Sequence, residues 1–285
     1  MIITQITGGL GNQLFQYAAG FCVAKRLNTD LALYFTLEDT DTKRKPAIAE
    51  LFPNLKWVEE SDVRDYIPKN TLERIWQRLL PFQKKVFYKE PHFHYDDNIL
   101  KISDNTYLKG FWQSEKYFIE YLDELKFKLL SAISSIKLDS VIEEKLNAHN
   151  SISVHVRKGD YLKPPYISYY HQLSNDYYKK AVNEIISSST VAKVFVFTDD
   201  IEWVKQNLDI GYPYEIVSGQ YTCSAFEDMK GIIECKHHII ANSSFSWWAA
   251  WLGSSENKKI VAPAKWFNEG PLDTEDLIPE NWIKI

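Results

Sequence analysis

The sequence predicts an α/β protein of two lobes, each built on a parallel sheet, meeting at a cleft. Three observations carry this. Short β-branched or aromatic runs alternate with helical patterns through the second half of the chain, the first half opens in the same strand, turn, helix, strand order, and 285 residues, 45% hydrophobic, suffice for two domains of ordinary size. Such alternation implies right-handed crossovers and a sheet covered on both faces, with the ligand site at the carboxyl ends of the strands. The division is expected at 1–149, a lobe with an irregular insert, and 150–285.

Taken in order, the chain begins with a strand at 2–6, a glycine turn, a helix over 12–27 and a second strand at 31–35. Residues 36–53 are polar, charged and aperiodic. The stretch 62–105 carries amphipathic helical pieces and loops, where substrate contacts particular to this protein are expected. A helical segment around 122–149 joins the halves. Beyond it, strands are expected at 151–157, 193–199, 214–217, 237–242 and 259–263. Helices are expected at 175–187, 201–208, 225–235 and 244–252, each opening near Ser, Asn or Asp.

Several classes of function are excluded. The longest apolar stretches are broken within about a dozen residues, short of the ~20 needed to span a bilayer. Met1 leads straight into IITQI, without a basic region or a small-residue cleavage site, so no signal peptide is expected. Cys22, Cys223 and Cys235 form no C-x-x-C pair and fit a reducing compartment, so the cytoplasm is expected. A net charge of -5 argues against a nucleic-acid partner, and Lys43-Arg44-Lys45 reads as solvated loop charge. The aromatic content of 14% fits either stacking on sugars and bases or an aromatic-rich core.

Four stretches can carry chemistry. In TGGLGNQLFQYAAG (7–20), Gly8, Gly9 and Gly11 lie between a strand and a helix, where glycine allows positive φ and close approach of backbone to a ligand. From the glycines alone, a tight strand-to-helix turn is the better explanation. The adjacent amides of Asn12 and Gln13 can cap the helix or bond sugar hydroxyls and phosphate oxygens. In HVRKGDY (155–161), His155 and Arg157 share one face of a strand by its period of two. An arginine at that strand's carboxyl end suits an anion, and an Arg157–Asp160 ion pair is the structural alternative. In FTDD (197–200), Asp199 and Asp200 can cap the next helix or accept from ribose hydroxyls or base N–H groups. In the last stretch, SAFEDMKGIIECKHHIIANSSFSWWAAWLG, Asp228 lies on a helix and Ser243, Ser244 and Ser246 surround the start of another. Free N–H groups there favour a phosphate. Phe245, Trp248 and Trp251 recur at a spacing that core packing explains.

No metal site is expected. His237 and His238 point to opposite faces of a strand, no H-E-x-x-H occurs, and the cysteine spacing fits no zinc site. Asp39-Thr40-Asp41 forms a D-x-D, read as a chance match in a lysine-rich loop.

In this order, GGLGNQLFQYAAG, HVRKGDY, FTDD and ECKHHIIANSSFSWWAAWLG resemble the α-1,2-fucosyltransferases of glycosyltransferase family 11. The closing IVAPAKWFN and IPENWIKI are similar to that family too, and 36–105 is least covered. The resemblance implies a GT-B type fold, two Rossmann-like lobes facing a cleft, with acceptor on 1–149 and GDP-sugar on 150–285. It implies metal-independent, inverting transfer from GDP-β-L-fucose to the 2-hydroxyl of a terminal β-galactoside. GDP-fucose is then a co-substrate, and no cofactor is implied. Arg157 falls on the first arginine of an H-x-R-R-x-D signature that serves the donor diphosphate; Lys158 stands where a second arginine is common, keeping the charge without the planar fork. By the same likeness His155 and Asp228 lie near the guanosine, Asn12 near the sugar and diphosphate, and Ser243 to Ser246 around the phosphates. Asp199, Asn242, Phe245, Gly9 and Gly11 complete the expected donor-site lining. Asp160 is the first candidate for the base, against a loosely dissociative path with little base assistance.

The implied acceptor is a galactose-terminated oligosaccharide or lipid-linked glycan. A bacterial cytoplasmic enzyme of surface-glycan synthesis, with room for peripheral attachment at the inner membrane face, fits a chain without an anchor. The rival readings are a related transferase using another nucleotide sugar and a non-catalytic glycan-binding protein.

Overall fold

A computed structural model describes residues 1–36, 46–148, 150–186, 192–270 and 274–285; Asp39-Thr40-Asp41 and Lys43-Arg44-Lys45 lie outside them. The chain divides into two compact units, Met1–Lys128 with Asp273–Leu277, and Leu129–Leu272 with Ile278–Ile285.

The first unit contains β1 (Ile2–Ile6), α1 (Leu10–Arg26), β2 (Leu31–Phe35), α2 (Ile48–Leu51), α3 (Glu60–Val63), α4 (Thr71–Leu79), β3 (Phe87–Lys89) and β4 (Thr106–Lys109). Its sheet runs β2-β1-β4-β3, every pair parallel. β1 is buried along its whole length, as an inner strand covered on both faces must be. α1 is buried nearly all round, and its small residues set how close it lies to the sheet. A Cβ on Gly20 would sit 2.1 Å from Thr4 Oγ1, so only glycine fits there. The helix opens at Leu10 rather than at 12, with Gly9 as its cap.

The second unit begins within α5 (Leu122–Ser134) and continues with α6 (Ser140–Ala148), β5 (Asn150–Val156), α7 (Tyr166–Tyr169), α8 (Asn175–Ile186), β6 (Ala192–Thr198) and α9 (Ile201–Asn207). It ends with β7 (Tyr214–Ile216), α10 (Ala225–Glu234), β8 (His237–Ile239), α11 (Ser244–Leu252), β9 (Ile260–Ala262) and β10 (Ile283–Lys284). The order β10-β9-β8-β5-β6-β7 is again all parallel. β5 is the inner strand on which the others assemble. Ile152, Val154 and Val156 pack with Tyr178 and Val182 of α8, and Ser151 and Ser153 are equally buried. A strand shut away from water on both sides shows no alternation of burial.

β3, β4 and β10, each of two to four residues, went unread in the sequence. So short a run carries no measurable period, and each is a strand only because a distant neighbour offers it a ladder. The strand expected at 237–242 narrows to His237–Ile239, although the Ile240 N–H still donates to the Val261 carbonyl at 3.0 Å.

α10 approaches β6 through Gly231, where a Cβ would meet the Phe197 ring at 2.7 Å. Both groups are buried and the ring cannot swing away. Gly231→Ala is therefore expected to destabilise the protein by about 1–3 kcal/mol through overpacking. Denaturant unfolding measures it, and an unchanged midpoint would contradict the close approach.

Candidate active site

In the second unit the expected residues lie at or beyond the carboxyl ends of β5, β6, β7 and β8. Arg157 is the first residue beyond β5, its side chain 30% accessible. Nη2 lies 2.8 Å from Asp160 Oδ1, and Nε lies 3.2 Å from Asp199 Oδ2. The second contact is an ion pair without hydrogen-bond alignment, because the Nε–H finds no acceptor. Burial works against the guanidinium's charge, but Asp199 and Asp160 outweigh it and hold the pKa above the ordinary arginine value. The guanidinium carbon also lies 5.3 Å from the ring centroid of Tyr161. Tyr161 stacks on Tyr170 at 3.9 Å and donates its hydroxyl to the Asn242 carbonyl at 3.2 Å. The arginine thus has charge at two corners and a fixed aromatic support.

Lys158 turns elsewhere. Its side chain is buried, with Nζ donating to the Leu173 carbonyl at 3.0 Å and lying 4.6 Å from the Trp203 ring centroid. Its backbone N–H donates to Asp199 Oδ1 at 2.9 Å. Asp199 therefore braces both residues, and Gly159 gives it room: a Cβ there would lie 2.5 Å from Asp199 Oδ2. Asp200 is the cap of α9, accepting from the Trp203 N–H at 3.0 Å. The two aspartates of FTDD have separate tasks.

His155 is buried, its ring 5.5 Å from that of Phe245, and its Nδ1 has no hydrogen-bond partner. Burial, with the Arg157 charge adding to it, pushes its pKa down to about 3, so the ring is neutral. Phe245 consequently stands apart from the tryptophans. Trp247, Trp248 and Trp251 pack on one another at 5.2–5.9 Å, with Trp282 5.4 Å from Trp247. This cluster fixes α11, whose cap Ser243 makes no side-chain capping bond. The Ser246 hydroxyl donates back to the Ser243 carbonyl at 3.2 Å, and Ser244 opens the helix, half-buried. Asn242 spends its amide N–H groups on the His171 and Trp266 carbonyls, both at 2.8 Å.

Asp228 accepts from the hydroxyls of Ser218, at 2.9 Å, and Thr222. Ser218 Oγ in turn accepts from the Thr198 N–H at the end of β6. Burial raises the Asp228 pKa to about 6 against the pull of these bonds. Ser218, Thr222 and Tyr161 escaped the sequence reading. Tyr161 alone carried a signal, standing in HVRKGDY.

Asn12, Gly9 and Gly11 belong to the first unit. Gly8 has φ +74°, the conformation that needs glycine, and a Cβ there would lie 2.8 Å from Asn12 Nδ2. Gly9 faces open space where a Cβ would stand, whereas Gly11 is buried in α1. Neither amide caps the helix. Asn12 Oδ1 accepts from Gln113 Nε2 at 2.8 Å; Gln13 donates to the Gly8 carbonyl and accepts from the Ile48 N–H. Gln113 is held in turn by the preceding loop, where Trp112 has φ 56° and Glu90 accepts from the N–H groups of Phe111 and Trp112. Burial raises the Glu90 pKa to about 7, opposed by those two bonds.

These shifts act on stability in opposite senses. Glu90 and Asp228 are raised, so their contributions are full at acid pH and lost as pH rises through about 7 and about 6. His155 and His238 are both lowered to about 3, so theirs are full above the ordinary histidine value and lost as pH falls. The Tm of wild type minus that of Glu90→Gln should accordingly fall as pH rises from the free glutamate value of 4.5 to about 7. A difference independent of pH would contradict the raised pKa.

Two α/β units, each on a parallel sheet, give a fold of the GT-B class, and the second carries a braced arginine beyond a central strand. The chain belongs to glycosyl transferase family 11, whose family model matches residues 1–285. It is 32% identical to an alpha-1,2-colitosyltransferase of Escherichia coli, over 100% of this chain and 99% of that one. It is 28% identical to the O-antigen biosynthesis glycosyltransferase WbnK of Escherichia coli, over 98% and 99%. Among solved structures, a mutant of Arabidopsis thaliana FUT1 in complex with GDP shares the fold, with a TM-score of 0.51 and 12% identity over 92% of this chain and 70% of that one.

Proposed function

We propose that the protein transfers L-fucose from GDP-β-L-fucose to the 2-hydroxyl of a terminal β-galactoside, with inversion and without a metal ion. The observation that carries this is Arg157, a braced cation at the carboxyl end of an inner parallel strand. Galactoside alpha-(1,2)-fucosyltransferase 1 of Alouatta belzebul, 24% identical over 87% of this chain and 64% of its own length, supports the linkage and the acceptor.

The chemistry follows from charge. As the bond from fucose to the diphosphate breaks, negative charge grows on the departing GDP, and a preorganised donor set lowers that barrier most. Arg157 supplies the fixed cation and gives up its contact with Asp160 to the diphosphate, while Asp199 keeps it in place. The N–H groups at the start of α11 add their dipole. The neutral His155, with its unpartnered Nδ1, takes the nucleoside by hydrogen bonding and not by charge. Asp160, released from Arg157, receives the proton of the acceptor hydroxyl as the oxocarbenium-like sugar is attacked from the opposite face.

Arg157→Ala should lower kcat/KM with GDP-fucose and lactose by ~10²–10³. Arg157→Lys should recover only part, because the fork is lost. Near-normal turnover by the alanine variant would sink the assignment. Asp160→Asn should remove the acid limb of the pH–rate profile if Asp160 is the base, and an unaltered profile would favour the dissociative path.

A second reading has its own observation. The colitosyltransferase relative matches the chain from end to end, and colitose is 3-deoxy-L-fucose. A site that hydrogen-bonds the fucose 3-hydroxyl would reject the deoxy sugar by ~10⁴ or more, since buried polar groups would be left unpaired. Turnover of GDP-fucose against GDP-colitose decides between them, and a strong preference for GDP-colitose would overturn fucose as the donor.

A further inference from the structure

α4 is built the wrong way out for a helix that serves only its own fold. It contains no buried residue. Leu72, Trp76 and Leu79 are 79%, 63% and 75% exposed, and Ile75 is 47% exposed. At the helical repeat these four side chains share an arc of about 100°. Gln77, on the polar side, is half-buried instead. The anchors explain the orientation. Asn70 caps the helix by accepting from the Glu73 N–H at 2.9 Å, and Glu73 accepts in return from the Lys69 N–H. The buried Lys85 donates to the Gln77 and Arg78 carbonyls at 2.8 and 3.1 Å. The helix is therefore held by its ends and its polar flank, and its apolar face is presented to the surroundings.

The charge around that face says what covers it. From Lys69 to Lys89 there are six Lys or Arg and one acidic residue, Glu73, in a chain whose net charge is -5. Glu73 is occupied in the cap, whereas Arg74, Arg78, Lys84 and Lys89 are exposed. After the helix, Phe82 lies under Lys85 and Lys101, at 4.9 and 5.8 Å from its ring centroid. Trp and Leu on one face, with arginines on the polar flank and exposed lysines in the turn that follows, is the composition that partitions into an anionic lipid interface.

We propose that α4 and the basic turn after it are the element by which this protein docks on an anionic membrane surface. The apolar face enters the headgroup boundary, and the arginines and lysines meet the lipid phosphates. Flotation of the full chain with vesicles of phosphatidylcholine, alone or mixed with phosphatidylglycerol, tests this. The protein should float with the mixed vesicles only, and added salt should release it. L72S/W76S/L79S should lower the bound fraction about tenfold. R74Q/R78Q should be released at lower salt, and W76F should keep binding while losing part of its quenching by brominated lipid. α4 lies within 62–105, where substrate contacts were expected, and this proposal assigns it to lipid instead, so turnover of a soluble acceptor should be the same in all of them. The proposal is overturned if wild type ignores anionic vesicles or binds neutral ones equally, or if the triple variant floats like wild type. It is also overturned if the triple variant loses soluble-acceptor turnover, or if wild type is a dimer that those substitutions dissolve.

Discussion

A guanidinium only partly in water at the end of a buried strand has to be balanced by charge, and the second unit is organised around that requirement. Arg157 stands where β5 ends, and Asp199 comes from the end of the neighbouring β6 to meet it. The same carboxylate takes the Lys158 N–H, so the turn beyond β5 is bound to the turn beyond β6. Gly159 lets the two turns touch. Tyr161 carries the brace further, from the face of the guanidinium to the chain just ahead of α11. The pairs are only partly buried and partly screened by water, so by themselves they add little to stability. The clamp is thus a device for holding a cation ready, and stability is only part of its role.

Half-buried carboxylates do related work elsewhere. Asp228 gathers Ser218 and Thr222 beyond β7, and Glu90 gathers the N–H groups of Phe111 and Trp112 beyond β4. Each accepts several bonds with two oxygens, and so fixes a loop that lacks regular structure of its own. The Glu90 loop positions Gln113 and through it Asn12, so one half-buried acid governs an amide on a different element. The desolvation that makes these carboxylates costly also makes their hydrogen bonds strong. Neutral His155 and His238 show the converse, with burial removing charge that nothing nearby would balance.

The family and the surface of α4 bear on different questions. The end-to-end likeness to an alpha-1,2-colitosyltransferase and to WbnK places the chain among glycosyltransferases of family 11. Among the described residues no helix is long and apolar enough to cross a membrane. An acidic chain that concentrates its positive charge beside an exposed Trp and three aliphatic side chains nevertheless separates its electrostatics by region.

The strands at 2–6 and 31–35, the inner strands of the second sheet and the bounds of α11 were legible in the sequence, because long buried runs and helical repeats are local properties. So was the cluster of Arg157, Asp160 and His155, since a strand's period and its end can be read from neighbouring residues. The sequence left open whether Asp199 or Asp200 caps α9, and expected Asn12 and Gln13 as possible caps of α1; tertiary structure gave the cap of α9 to Asp200 and that of α1 to Gly9. It also turned Lys158 away to Leu173, separated Phe245 from the tryptophans, and joined Asp228 to Ser218 and Thr222. The caps themselves are local, but Asp199 is kept from α9 by Arg157 and Lys158, and like the last three outcomes this depends on partners that the fold brings near. The sequence by itself determined where strands, helices and charges occur; which charges face one another was decided by a sheet whose neighbours lie up to 85 residues apart, as Ser153 and His238 do.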